Sequence, residues 1–167
     1  MAARPSRLRP AALLLAALVP AALVSALGGL RQVEAATSER VVADVLSGLA
    51  ISGVDPVSYF THAEPLYGNS EHEYSYGGAV WRFRNVGDKA AFVAHPDVYM
   101  PRYGGYDPVA LARGVAVAGN PLVWAMVGER VYLFYDEKSR AQFLDAPTDA
   151  IETADEKWPT VKSTLVP

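Results

Sequence analysis

The chain has 167 residues, 51% of them apolar and 20% charged, with a formal net charge of −3 and no cysteine. That is enough apolar material for one compact domain, and too negative a balance for the basic face that nucleic acid needs, so nucleic acid is disfavoured as a partner. Without cysteine there is no disulfide, thiolate metal site or thiol nucleophile, and any chemistry falls to His, carboxylates, Tyr, Ser or backbone groups.

Arg4, Arg7 and Arg9 precede an uncharged run over 10–30, the pattern of an export signal. Val33 and Ala35 put small residues at the two positions a signal peptidase inspects. The expected cut after Ala35 leaves 132 of the 167 residues; losing Arg4, Arg7, Arg9, Arg31 and Glu34 takes the net charge from −3 to −6. Left uncleaved, the same run is long enough for a membrane anchor, the one membrane contact the sequence suggests. Either way the remainder is expected to be periplasmic or secreted, with 1–35 as signal, 36–48 as a linker and 49–167 as the folded domain.

Gly53-Val54-Asp55-Pro56-Val57 recurs 52 residues on as Gly105-Tyr106-Asp107-Pro108-Val109. Gly77, Val80, Trp81, Phe83, Lys89, Ala90, Phe92 and Pro96 recur 51 residues on as Gly128, Val131, Tyr132, Phe134, Arg140, Ala141, Phe143 and Pro147. One deleted residue reconciles the offsets, and the conserved order predicts an internal duplication with units 53–97 and 105–148. In each unit two aromatic and β-branched runs flank a two-residue turn: 71–76 and 79–83 around Gly77-Gly78, then 122–127 and 130–135 around Gly128-Glu129. A helix follows each hairpin, 88–94 stopping before Pro96 and 137–144 before Pro147, which groups Phe83 with Phe92 and Phe134 with Phe143. Each Asp-Pro is expected to open a short helix, with Asp capping free amides and Pro filling the first turn. A final helix over 149–162 carries Ile151, Ala154, Trp158 and Val161 at three- and four-residue spacing and is expected to close the open side of the core. A lone hairpin is only marginally stable. The predicted class is therefore α+β, with two hairpin-helix units packed around one shared core plus the C-terminal helix.

Segments 50–60 (AISGVDPVSYF), 78–99 (GAVWRFRNVGDKAAFVAHPDVY) and 103–106 (YGGY) resemble the YHS domain family, in particular the small exported group called YHS domain-containing (seleno)proteins. The resemblance runs over 49–158 and implies a small metal-handling domain. The chain departs from the family at its cysteines. Ser58 stands where metal-type members carry Cys after Asp-Pro-Val, and 83–87 supplies none at the end of the second strand. Asp107 follows Tyr103-Gly104-Gly105-Tyr106 where the exported group carries Cys or selenocysteine. Capture of copper(I) by sulfur is therefore not carried over to this chain.

The remaining donors for a divalent metal ion are His62, His72 and His95 with Asp55, Glu64, Glu71, Glu73 and Asp107. On a strand His72 faces away from Glu71 and Glu73, so the best set is His72, His62 and one carboxylate. A divalent ion is the one cofactor the sequence suggests. The most distinctive loop is 99–107 (YMPRYGGYD), whose Gly pair permits close backbone approach and whose three Tyr and Arg102 suit a small anionic or planar ligand. If the two Asp-Pro helix starts are equivalent, a ligand is expected to touch Asp55 and Tyr59 together with Tyr103, Tyr106 and Asp107. No catalytic set is visible, so the expected function is an exported, non-enzymatic YHS-like binding module for a metal ion or small ligand. One alternative is a small extracytoplasmic enzyme or enzyme accessory using paired carboxylates near Asp55 and Asp107. The other is a structural or partner-binding domain without a small ligand.

Overall fold

The computed structural model describes residues 39–166. The expected export signal, its cleavage site and the first residues of the expected linker lie outside the described residues. Among the described residues no helix is long and apolar enough to cross a membrane.

The first half opens with a 3-10 turn, Ile51–Gly53, and continues through α1 (Ser58–Thr61), the hairpin of β1 (Asn69–Tyr76) and β2 (Ala79–Phe83), then α2 (Val86–Ala94) and α3 (Pro96–Tyr99). The second half keeps that order: a 3-10 turn, Arg102–Gly105, then α4 (Pro108–Leu111), the hairpin of β3 (Asn120–Val127) and β4 (Arg130–Phe134), α5 (Glu137–Asp145) and α6 (Pro147–Ser163). The fold is α+β, built on two antiparallel two-stranded sheets.

Local sequence accounts for these elements. Gly77 and Gly78 take φ values of 63° and 87°, and Gly128 and Glu129 take 58° and 59°. Two left-handed residues in a row make the hairpin turn whose twist matches that of its strands. Both hairpins slip register at the same place. Asn69 pairs with Phe83 and Asn120 with Phe134, and regular pairing resumes only at Glu73 and Trp124. Asn85 and Asp136 lie in extended backbone and accept the amides of Asp88 and Ser139, capping α2 and α5. The cap starts α2 at Val86, two residues before the expected start. Proline fits a first helical turn, so α6 starts at Pro147 rather than 149, and it runs on through Pro159, which supplies no amide for the Asp155 carbonyl.

The two Asp-Pro sites differ from each other. Asp107 caps α4 as expected, its Oδ1 accepting from the amides of Val109 and Ala110. Within its own turn Asp55 accepts from the amide of Val57 alone, its other oxygen taking the Arg84 amide, so Pro56 and Val57 form a turn and α1 begins later, at Ser58.

The expectation of one shared core is corrected. Buried side chains form two clusters. Trp81, Phe83 and Phe92 lie at the centre of the first, with Phe83 and Phe92 ring centres 5.2 Å apart; Tyr132, Phe134 and Phe143 centre the second, with Phe134 and Phe143 at 5.0 Å. Strand β4 joins them, because its alternating side chains are apolar on both faces: Val131 and Leu133 enter the first cluster, Tyr132 and Phe134 the second. The matched position to Leu133 in β2 is Arg82, half-exposed and paired with Glu73 at 2.8 Å. Helix α6 covers the second cluster with Ala154 and Val161, so it closes one half and not a common core. Within the expected linker or N-terminal segment over 36–48, Val41 and Ala43 are buried in the first cluster and Val42 in the second, so 41–43 is a seam between the halves.

Candidate functional site

Three consecutive left-handed residues, Tyr103, Gly104 and Gly105 (φ 57°, 66° and 93°), fold the 99–107 loop back on itself. Gly104 is required here, since a Cβ would lie 2.1 Å from the Arg40 carbonyl oxygen. Its own carbonyl accepts from the Val42 amide at 2.8 Å, which docks the loop on the seam. Between this loop, the β1–β2 turn and the end of α6 lies a cleft of about 680 Å³. Arg40, Arg102, Arg130 and Lys162 line it, with Tyr76, Tyr103 and Trp158 as aromatic walls and Gly77-Gly78 as a stretch without side chains.

Among the described residues no carboxylate lines the cleft. Arg102 donates to Asp155 Oδ1 at 2.8 Å, and the Tyr103 hydroxyl donates to the same oxygen at 2.9 Å. Burial, reinforced by Asp155, pushes the Tyr103 phenol well above its usual range, so it stays a hydrogen-bond donor. The Arg130 guanidinium donates to the backbone carbonyl of Asp97, which carries no charge. The other ion pairs among the described residues are Arg82–Glu73 and Arg140–Glu137. Arg40, Arg130 and Lys162 thus have no carboxylate partner among the described residues. Positive charge gathers in one concavity of a chain whose net charge is −3, and low-dielectric walls concentrate that field.

Of the expected ligand residues, the structure brings only Tyr103 to this cleft. Tyr106 is buried beneath it and donates from its hydroxyl to the Glu39 carbonyl at 2.5 Å, holding the seam. Tyr59 is buried, donates to the Pro121 carbonyl at 2.8 Å and packs on Trp124, so it ties the first half to β3. Asp55 and Asp107 are 0% and 2% exposed, and each is engaged within its own half. Asp55 accepts from the amides of Val57 and Arg84, both at 2.8 Å. Asp107 accepts from Val109, Ala110 and Tyr135 amides and from the Ser139 hydroxyl. They share no partner, and the carboxylate beside Asp55 is Asp88. Burial, with Asp88 adding to it, raises the Asp55 carboxyl to about 6. The paired-carboxylate expectation is therefore corrected: these residues staple each turn to the end of its hairpin.

The metal set is not assembled either. His62 is exposed, its Nδ1 2.8 Å from the Thr61 hydroxyl and its Nε2 3.0 Å from the Arg84 guanidinium. His72 lies half-buried on β1. Among the described residues no group of three His, Cys, Asp or Glu side chains could hold a metal ion, so the donors do not fit a resident divalent ion.

Arg40, Tyr76, Arg130, Trp158 and Lys162 were not anticipated as site residues. They come from four separate stretches, Trp158 and Lys162 sharing α6, none carrying a motif, and only Arg102-Tyr103 marks the cleft locally. No family model, curated protein or solved structure matches the chain.

Proposed function

We propose that this chain is an exported, non-enzymatic binding module, YHS-like in its sequence, that holds a small anionic ligand in the cleft between the 99–107 loop, the β1–β2 turn and α6. The observation that carries this reading is the cluster of Arg40, Arg102, Arg130 and Lys162 in a cavity that no carboxylate lines among the described residues. Its volume, about 680 Å³, falls in the range of small-molecule sites. A cationic cavity repels a metal ion, so the ligand class narrows from metal or small molecule to an anion.

The test is native mass spectrometry of untagged protein released from the periplasm, with elemental analysis of the same material. The expected result is a co-released organic anion, lost from Arg130→Gln. Stoichiometric metal without an organic anion returns the reading to metal handling; neither metal nor anion rejects a small-ligand role.

A further inference from the structure

Resting on the anion-binding reading, we infer that the cleft's ligand is a flat aromatic dianion. Three features of the cavity point there. The uncompensated cations are Arg40, Arg130 and Lys162; a single negative charge leaves most of them unanswered, whereas a second pairs another. The walls between those cations are aromatic. Tyr76 is 38% exposed although it sits on the ring of Tyr74 at 17°, and Trp158 packs edge-on to Tyr103 with centres 5.7 Å apart. The Arg102 guanidinium lies 5.4 Å from the Tyr103 ring centre, an arrangement in which cation and ring form one surface. Exposed aromatic surface next to unpaired cations suits a ring that carries its charge at the rim.

The third feature is a contrast within the molecule. The β1–β2 turn, which borders the cleft, is Gly77-Gly78; the matched β3–β4 turn, which does not, is Gly128-Glu129. Glu129 holds a φ of 59°, so left-handed backbone in this turn accepts a carboxylate-bearing side chain. At the cleft that carboxylate is missing, and the wall stays open to an anion.

Gly78→Glu transplants the second turn into the first and places a carboxylate at the cleft. The probe is naphthalene disulfonate, an aromatic ring with two permanent charges, titrated calorimetrically into the full chain. Naphthalenemethanol supplies the ring without charge, and sulfate supplies charge without a ring. The expected result is that the disulfonate binds at least about tenfold tighter than either control, and that Gly78→Glu, which strains a backbone at φ 87° and is read on its folded fraction, weakens it at least about tenfold. Lys162→Gln, at an exposed side chain, is expected to weaken it severalfold and guards against a misfolded turn variant. Equal binding of sulfate and disulfonate overturns the aromatic part and leaves anion binding standing. Equal binding of naphthalenemethanol and disulfonate, or binding of none of the three, overturns both. Disulfonate binding that neither variant changes places the ligand elsewhere and overturns the assignment to this cleft.

Discussion

Asp55 and Asp107 show how one residue between matched halves changes a carboxylate. Asp107 has the Ser139 hydroxyl as a donor at 2.5 Å. The position 51 residues before Ser139 is Asp88, which gives Asp55 a like charge in place of that donor. The Asp55 carboxyl, ordinarily at 3.8, therefore sits at about 6 in the fold, with burial the larger cause. A raised folded value means that the native state binds the proton more tightly than the unfolded chain. This contribution is fully present below pH 3.8 and is lost as pH rises through 6. Asp88→Ser restores the donor seen in the second half. It is expected to shrink the loss of stability between pH 4 and pH 7 by about 1 kcal/mol, read from urea midpoints across that range; an unchanged profile removes Asp88 from the explanation. Tyr59→Phe leaves the buried Pro121 carbonyl without its hydroxyl donor. Its expected cost is about 1–2 kcal/mol by chemical denaturation.

At the scale of elements, α2 and α5 each insert one phenylalanine, Phe92 or Phe143, into a separate cluster, and both are 0% exposed. Phe92→Ala and Phe143→Ala are each expected to cost about 3–5 kcal/mol in denaturant unfolding. Strand β4 differs from β2 by carrying Leu133 where β2 carries Arg82. Leu133→Ala is expected to cost about 2–5 kcal/mol and Arg82→Ala under about 1 kcal/mol, because the first empties a buried site and the second removes a half-exposed ion pair. The hairpins, their turns and the helices behind them were legible in the sequence, since Gly-Gly, Gly-Glu and the Pro stops act over a few residues; the Asn85 cap was not anticipated, and α2 starts two residues early for that reason. The matched Asp-Pro motifs were legible as motifs but misread as a site. Their side chains satisfy backbone amides, a local role that carries no ligand signal. The division into two cores was not legible. Whether Val131 and Leu133 face solvent or a neighbour depends on a partner half far away in sequence, and no local pattern encodes it.

At the scale of the whole molecule, the cleft is made by residues as distant as Arg40 and Lys162, which is why only its Arg102-Tyr103 edge was visible beforehand. Clustered cations without counter-ions repel one another, so Lys162→Gln is expected to leave stability within about 0.5 kcal/mol of the parent or slightly above it. Thermal melts at low and high salt check this. A loss above about 1 kcal/mol assigns Lys162 to the fold instead.

The seam also sets when the domain is able to form. Glu39 bridges to Val166, the Arg40 amide donates to the Val166 carbonyl at 2.9 Å, and the Tyr106 hydroxyl holds the Glu39 carbonyl. Residues 39 and 40 therefore find part of their pairing only in the latest described residue, while Val42 and Ala43 pair with residues 50–51 and 104; the first of these closures spans the described chain and is entropically costly and slow. During synthesis the pairing of Glu39 and Arg40 with Val166 is expected to form last, after that of Val42 and Ala43 with residues 50–51 and 104. Pulse proteolysis of stalled nascent chains of increasing length is expected to show full protection of 39–40 only once residue 166 is free, with 42–43 protected earlier.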